Sequence, residues 1–386
     1  MAVTLARLFA NTEKNYKIKL LAGQKGMKSL VRWVHMVEDS EVPGFLHGNE
    51  LIMTTGIAHA GSGWLVEFVK SLRKHGAIGL ILNVGPYIKE IPATVTQYCD
   101  DNGFPLFTVP WEIHLIDVTF DFCHRIIENE EHETDTASAF RNLIFTPGNK
   151  NAYVQPLGKG GFHNRGEYTL MLIQAVKNEK LILGDEWNNL KFGLQSVLRY
   201  VDKPICIFDQ ENYLVIIASG IHWSQMEGYG KLIEKELFPE EEVQLFIGIS
   251  DTVMGYNELH FCYRQAVTSI STAKLLRKET VKYQDTGIYK LLYAVEETGV
   301  LKRYLSDTLW EIREYDSLHN TDFENTLKVY LENNGSIQKV SMIMKVHRNT
   351  VNYKMKAIRE IFGLKMDYED IARLWLAFDI KKITAE

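Results

Sequence analysis

The sequence predicts a multidomain chain: an α/β N-terminal domain, a second α/β (α+β) region in the middle, and an all-α C-terminal domain carrying a helix-turn-helix. Three observations predict it. Apolar strand-like segments alternate with helical patterns over residues 1–125, a layout that implies a mainly parallel sheet covered on both faces. A second set of apolar strands follows over residues 167–286. After residue 321 apolar residues recur every three to four positions in short runs, the spacing of packed helices.

In the first block, Val31 to Val37 and Leu51 to Thr55 read as strands and Trp64 to His75 as a helix. Ala77 to Asn83 is a continuous apolar strand, Ala93 to Asp101 a helix, Phe104 to Val109 a strand, and Ile113 to Glu128 a closing helix. Three of the strands end in polar or glycine-containing groups: Thr54-Thr55-Gly56, Asn83-Val84-Gly85 and Pro110-Trp111-Glu112. Ligands of open α/β sheets bind beyond the carboxyl ends of strands, so Thr54, Thr55, Gly56, Asn83, Gly85 and Trp111 form a candidate site for a small, nitrogen-rich polar molecule. Threonine, asparagine and glycine also make good turns at strand ends, and that alternative stands beside the ligand reading.

The charged run from Glu128 to Thr136 reads as a helix end and linker, within a connecting region over 126–166. Gly158-Lys159-Gly160-Gly161 resembles a phosphate loop only superficially. No serine or threonine follows Lys159, so a flexible entry loop is expected over Pro147 to Gly166. In the middle region Tyr168 to Val176, Ile205 to Phe208, Leu214 to Ala218 and Val243 to Ile249 read as strands. Asp209-Gln210-Glu211-Asn212 reads as a hairpin turn and Glu258 to Leu276 as a helix. Helical connection is expected over 287–320 and the helix-turn-helix domain over 321–386.

In that last domain Gly335 ends one helix and Ser336 can cap the next, whose apolar face is Ile337, Val340, Ile343 and Met344. Lys345 and Val346 make the turn, with Val346 buried beneath it. A second helix follows with Val351, Met355, Ile358 and Phe362 (or Ile361) as its inward stripe. Arg348, Asn349, Thr350, Asn352 and Tyr353 are left facing outward near its start, where the recognition helix of such a motif meets base edges. Arginine pairs bidentately with guanine and asparagine with adenine. Lys354, Lys356 and Arg359 are candidate phosphate contacts.

Charge points the same way. The whole chain is acidic, with 43 basic and 49 acidic residues. Between Ser336 and Lys365, however, Lys339, Lys345, Arg348, Lys354, Lys356, Arg359 and Lys365 face Glu360 alone. A basic patch on an acidic protein fits phosphate contact and argues against nonspecific coating of nucleic acid. Double-stranded DNA is the expected partner.

The last hundred residues resemble the C-terminal domain of the PucR family of bacterial transcriptional regulators. The resemblance runs through Thr326-Leu327, Tyr330 to Gly335, Val346 to Val351 and Tyr353, then Leu374, Leu376 and Ala377. Gly287 to Leu292 and Tyr315-Asp316 resemble that family's lead-in. Met342 and Ile343 stand where the family tends to have a polar and a small residue, and Lys354 where it tends to have arginine. Residues 1–125 resemble the family's N-terminal domain, notably in Gly48 to Gly56, and the resemblance implies a metabolite-sensing role. The middle region, with Gly248-Ile249-Ser250, resembles the family's GGDEF-like domain in degenerate form, since the signature loop of active cyclases is absent.

The four cysteines (Cys99, Cys123, Cys206, Cys262) lie far apart without metal-binding spacing, and the histidines form no spaced pair, so no cofactor or metal is expected. Residues 1–15 carry charges and no continuous apolar run, so the expectation is a cytoplasmic protein with no membrane partner. The reading is a sequence-specific transcriptional regulator responding to a small-molecule effector in purine, amino-acid or other nitrogen catabolism. It is expected to act as a homodimer or higher homo-oligomer, because two recognition helices are needed to span half-sites. The alternative is a metabolite-processing α/β enzyme with an incidental basic helical tail; the absence of a catalytic constellation in the sequence tells against it.

Overall fold

The computed structural model describes residues 3–39, 46–59, 63–146, 152–198, 200–237, 243–295 and 299–384. The chain divides into two compact units, Met1–Ile270 and Ser271–Glu386.

The first unit begins with two short helices, Leu5–Leu8 (α1) and Thr12–Tyr16 (α2), and a strand, Lys19–Ala22 (β1). Trp33–Met36 (β2), Glu50–Thr54 (β3), Trp64–Lys74 (α3), Gly79–Val84 (β4), Ala93–Asn102 (α4) and Leu106–Pro110 (β5) follow. They build a sheet of order β1-β5-β4-β3-β2, parallel from β2 to β5, with β1 antiparallel on the β5 edge. Burial on both faces explains the apolar runs. Ile52, Leu80, Leu82 and Leu106 pack against α3 and α4, while Leu51, Met53, Ile81 and Phe107 face the other way. The expected strands and helices are present with ends shifted by one or two residues. β1 lacks a sequence signature because an edge strand with one buried residue needs neither alternation nor an apolar run.

Leu115–Phe145 (α5) is a single helix of 31 residues, and this corrects the expected linker. The charged run 128–136 lies in its middle. Glutamate is a good helix former, and most of the run's side chains are solvated, while Asn129 is buried and Glu133 partly so. Ile126 before the run and Ala137, Phe140, Leu143 and Ile144 after it are buried, so packing holds both ends. The expected flexible loop is also corrected in part. Gly158 and Lys159 form the last turn of a helix, Val154–Lys159 (α6), anchored by buried Tyr153 and Leu157. Residues 147–151 of that expected loop lie outside the described residues.

The second half of this unit comprises Glu167–Lys177 (β6), Lys180–Leu181 (β7), Gly184–Leu198 (α7), Ile205–Gln210 (β8), Tyr213–Ser219 (β9), Trp223–Leu237 (α8), Val243–Ile249 (β10), Val253–Met254 (β11) and, up to Ile270, the helix Leu259–Leu276 (α9). The sheet runs β10-β6-β9-β8, antiparallel throughout, and the short β7 and β11 pair with β6. The β8–β9 hairpin turns at Glu211-Asn212, with Glu211 at φ 53°. Neither α7 nor α8 was expected. Gly193 and the Asn188-Asn189 pair interrupt one pattern, Gly228 and Gly230 the other, yet Leu190, Leu194, Leu198, Met226 and Ile233 still close one face of the sheet. On the opposite face α9 approaches β10 so closely that a Cβ on Gly248 would sit 2.4 Å from the Ala266 carbonyl oxygen.

The second unit holds a short strand, Thr280–Lys282 (β12), and then helices only: Tyr289–Val295 (α10), Val300–His319 (α11), Phe323–Glu332 (α12), Ile337–Met344 (α13), Arg348–Phe362 (α14) and Tyr368–Thr384 (α15). The core of α11 to α15 gathers Leu309, Ile312, Leu327, Val340, Val351, Met355, Ile358, Leu374 and Ala377, with Trp375 partly buried against it. Asp316 of α11 caps α12 from outside: its carboxylate accepts from the Thr321 hydroxyl (2.5 Å) and from the Phe323 and Glu324 amides (2.7 and 2.9 Å).

Two substitutions test this packing. Gly248→Ala must push β10 from α9, which lowers stability by about 1–3 kcal/mol in urea unfolding. An unchanged midpoint would show that the helix yields without cost. Asp316→Ala strands the first amides of α12 and is expected to cost about 1–2 kcal/mol in the same measurement, with Asp316→Asn losing less.

Candidate nucleic-acid interface

The helix-turn-helix is α13, a tight turn, and α14. Gly335 takes φ +75°, a left-handed conformation that suits glycine. Ser336 then caps α13, its hydroxyl accepting from the Lys339 amide at 3.4 Å. Lys345 makes the turn at φ 54°, and the Val346 amide bonds back to the Ser341 carbonyl at 3.0 Å. Val346 is half-buried and packs on the core, less deeply than expected. The cap of α14 was not foreseen. His347 supplies it, Nδ1 accepting from the Asn349 amide at 3.2 Å, in a position that serine, threonine, aspartate or asparagine usually fill.

The inward stripe of α14 is Val351, Met355 and Ile358, all buried, with Phe362 half-buried behind them; Ile361 is exposed, which settles the open choice at the helix end. On α13 Val340 is buried and Ile337 and Met344 half-buried, as expected. Ile343 is the exception at 55% exposed, beside Met342 at 63%. An eight-residue helix held along one narrow stripe leaves that flank open.

Arg348, Asn349, Thr350, Asn352, Tyr353, Lys356 and Arg359 are all exposed, Tyr353 to 73%. A helix turns about 100° per residue, so Arg348, Asn349, Asn352, Lys356 and Arg359 share one flank of α14. Among the described residues, the side chains of Arg348, Asn349, Thr350 and Asn352 have no hydrogen-bond or ion-pair partner. Lys356 lies 3.7 Å from Glu360 in an exposed pair that holds it weakly. Lys354 differs. It falls on the other flank of the buried stripe, its side chain is 20% exposed, and its ammonium is paired with Asp322 ahead of α12.

The strand-end residues of the first unit do converge, and protein groups already serve them. The Thr54 hydroxyl donates to Glu38 (2.9 Å), and the Thr55 and Gly56 amides donate to the same carboxylate (2.8 and 3.0 Å). Asn83 donates its side-chain amide to the Pro110 carbonyl at 3.1 Å. Gly85 lies against Trp111, where a Cβ would come within 2.7 Å of that side chain. Glu38 was not singled out in the sequence, because a lone glutamate after a strand carries no signature. The strands β2 to β5 follow one another in space without a reversal of strand order. A cavity of about 500 Å³ opens further out, beside His59, Trp64, Tyr87, Lys89 and Glu90.

Burial pushes the thiols of Cys99 and Cys206 up to about 12 and that of Cys262 to about 11, so none of them is poised as a nucleophile at neutral pH. Among the described residues no helix is long and apolar enough to cross a membrane, and no cluster of three or more His, Cys, Asp or Glu side chains is arranged for a metal ion.

Comparison with known proteins matches both ends of the chain. The profile of the purine catabolism regulatory protein-like family covers residues 8–126, and that of the PucR C-terminal helix-turn-helix domain covers residues 324–380. Relatives in Bacillus subtilis include the proline-responsive transcriptional activator PutR, 24% identical over 225 residues, which are 56% of this chain and 54% of PutR. The purine catabolism regulatory protein is 29% identical over 119 residues, 31% of this chain and 22% of its own length. The DNA-binding transcriptional activator AdeR is 27% identical over 134 residues, 33% of this chain and 30% of its own. The matched region thus spans about half the length of PutR and less of the other two. A solved structure, the regulator of polyketide synthase expression from Bifidobacterium adolescentis, is similar at 16% identity over 64% of this chain and 92% of that one, with a TM-score of 0.30. That score is too low to carry an argument about the fold. Residues 8–126 thus match the N-terminal domain, and residues 324–380 the C-terminal helix-turn-helix domain, of PucR-type regulators.

Proposed function

We propose that this chain is a sequence-specific DNA-binding transcriptional regulator that responds to a small metabolite of nitrogen catabolism. The observation that carries the reading is the outward flank of α14. Arg348, Asn349 and Asn352 stand there without protein partners while Val351, Met355 and Ile358 fix the helix from behind. Polar side chains on a helix fixed from behind, with no partner among the described residues, can exchange water for base edges. The named relatives, two activators and a purine catabolism regulator, support the same class of activity. Two copies of α14 are needed to read half-sites about 34–36 Å apart, so the active species in this reading is a homodimer or a higher homo-oligomer. The middle region acts as a degenerate GGDEF-like domain without catalysis.

Four experiments test the reading. On DNA selected from a random pool, Asn349→Ala is expected to weaken specific binding by about 1–3 kcal/mol and to leave random DNA nearly unaffected. Equal affinity for the selected site would remove Asn349 from the readout. Lys356→Ala is expected to weaken both and to flatten the salt dependence by about one ion, since an exposed ammonium releases a counterion on binding. Lys354→Ala should leave that slope unchanged and cost about 1 kcal/mol or less of domain stability, because its charge is committed to Asp322. A slope that falls as much for Lys354 as for Lys356 would return Lys354 to the phosphate contacts. Finally, purified protein incubated with GTP and a divalent metal is expected to yield no cyclic dinucleotide, and steady product in chromatography would overturn that part.

A further inference from the structure

The first unit holds a cleft of about 550 Å³ whose walls come from α1, the middle of α5, α6 and the edge strand β8. Its lining brings both signs of charge and an apolar surface together. Arg7, Lys159 and Lys203 bring positive charge, Glu133 and Asp135 negative charge, and Phe162 an apolar surface. Arg7 is oriented by a 3.1 Å bond from Nη1 to the buried Asn129. Lys159, Lys203 and Asp135 have no ion-pair or hydrogen-bond partner among the described residues.

The strand adds a second observation. Along the cleft, among the described residues, β8 pairs with β9 alone. The Ser219 amide donates to the Pro204 carbonyl at 2.9 Å, which fixes the phase of the ladder: Cys206 and Phe208 bond towards β9, and Ile205, Ile207 and Asp209 turn their backbone groups away. The outward carbonyl of Asp209 is taken by Arg141 of α5 at 2.7 Å. The outward amides and carbonyls of Ile205 and Ile207 have no protein partner among the described residues, and both residues line the cleft. Both are buried, so their polar groups favour a partner other than bulk water.

We propose that this cleft is a binding site for a small zwitterion, a free α-amino acid. The cations take its carboxylate, Asp135 and Glu133 its ammonium, the open edge of β8 its remaining donors and acceptors, and Phe162 its side chain. A dicarboxylate leaves the two acids opposed to like charge, and a neutral base leaves both signs unanswered. The cavity beside Tyr87 is the weaker candidate, because none of its lining residues belongs to a strand and no strand edge opens on it among the described residues. As the effector site of the regulator proposed above, the cleft rests on that reading for its consequence but not for its binding.

The test uses the full chain with each free L-amino acid in thermal-shift and calorimetric titrations. Parallel arms contain the N-acetylated and amidated forms, dicarboxylates and purine bases. At least one free amino acid is expected to raise the midpoint while its acetylated and amidated forms do not. Lys159→Ala and Asp135→Ala each remove one exposed side chain and are expected to weaken binding by roughly ten- to a hundredfold. Three results would overturn the site: no amino acid binds, only dicarboxylates or purines bind, or affinity survives in the combined Lys159→Ala, Lys203→Ala and Asp135→Ala variant. DNA affinity with and without the bound amino acid separates the two readings. A chain that binds the amino acid and never binds DNA keeps the cleft and overturns the regulator.

Discussion

What α14 offers outward depends on what Val351, Met355 and Ile358 do inward. Those three side chains are buried in a core shared with α11, α12 and α15, and burial of each contributes on the order of 1.5–3 kcal/mol. Most of that is spent on fixing the helix, whose polar N-terminal flank gains nothing from the protein. The helix fixes where Arg348, Asn349 and Asn352 leave the backbone, so a later partner meets attachment points already in place while the exposed side chains themselves still have to be ordered. The cap from His347 and the turn at Lys345 set the angle at which that flank is presented. Asp316 performs the same service one helix earlier, by ending α11 and starting α12 at a fixed angle.

Much of this was legible in the sequence, and the exceptions have physical causes. The parallel strands were legible because burial on both faces demands continuous apolar runs, and α14 because a narrow buried stripe demands a period near 3.6. β1 was hidden because an edge strand buries too little to leave a pattern. The helices α7 and α8 were hidden by glycines and asparagines, whose weak helical propensity is outweighed by Leu190, Leu194 and Ile233 packing on the sheet. The charged run in α5 read as a linker because charge is ambiguous: it marks a solvated connector and a solvated helix face alike. Glu38 and His347 could not be found from type and spacing, since a carboxylate reaching Thr54 and an imidazole acting as a cap are tertiary and local choices that leave no periodic trace.

Counting charges picks out a region but does not rank its residues. Seven basic residues crowd the stretch from Ser336 to Lys365, yet geometry sorts them. Lys354 is spent on Asp322 and sits away from the reading flank, whereas Lys356 and Arg359 lie on it. The compact charge of Lys354 reaches one carboxylate, a task that does not need a planar fork. Composition locates a field; only the fold says which charges remain to generate it.

The same distinction applies to the first unit, where α5 ties two separately cored halves together. Leu115, Val118, Phe122 and Ile126 belong to the core of the first sheet, and Phe140 packs edge-on to Phe162 beside the second. Between these two anchored stretches lies the charged run, solvated on most sides and forming one wall of the cleft. A ligand shifts an equilibrium only by the difference in its contacts between states. The walls supplied by α1 and β8 are held by different cores, so any change in their spacing alters contacts to a molecule between them, whereas contacts made within one rigid sheet would not change. Polar groups at the ends of β3 and β4, already bonded to Glu38 and to the strand after them, stabilise their own turns and offer no such difference.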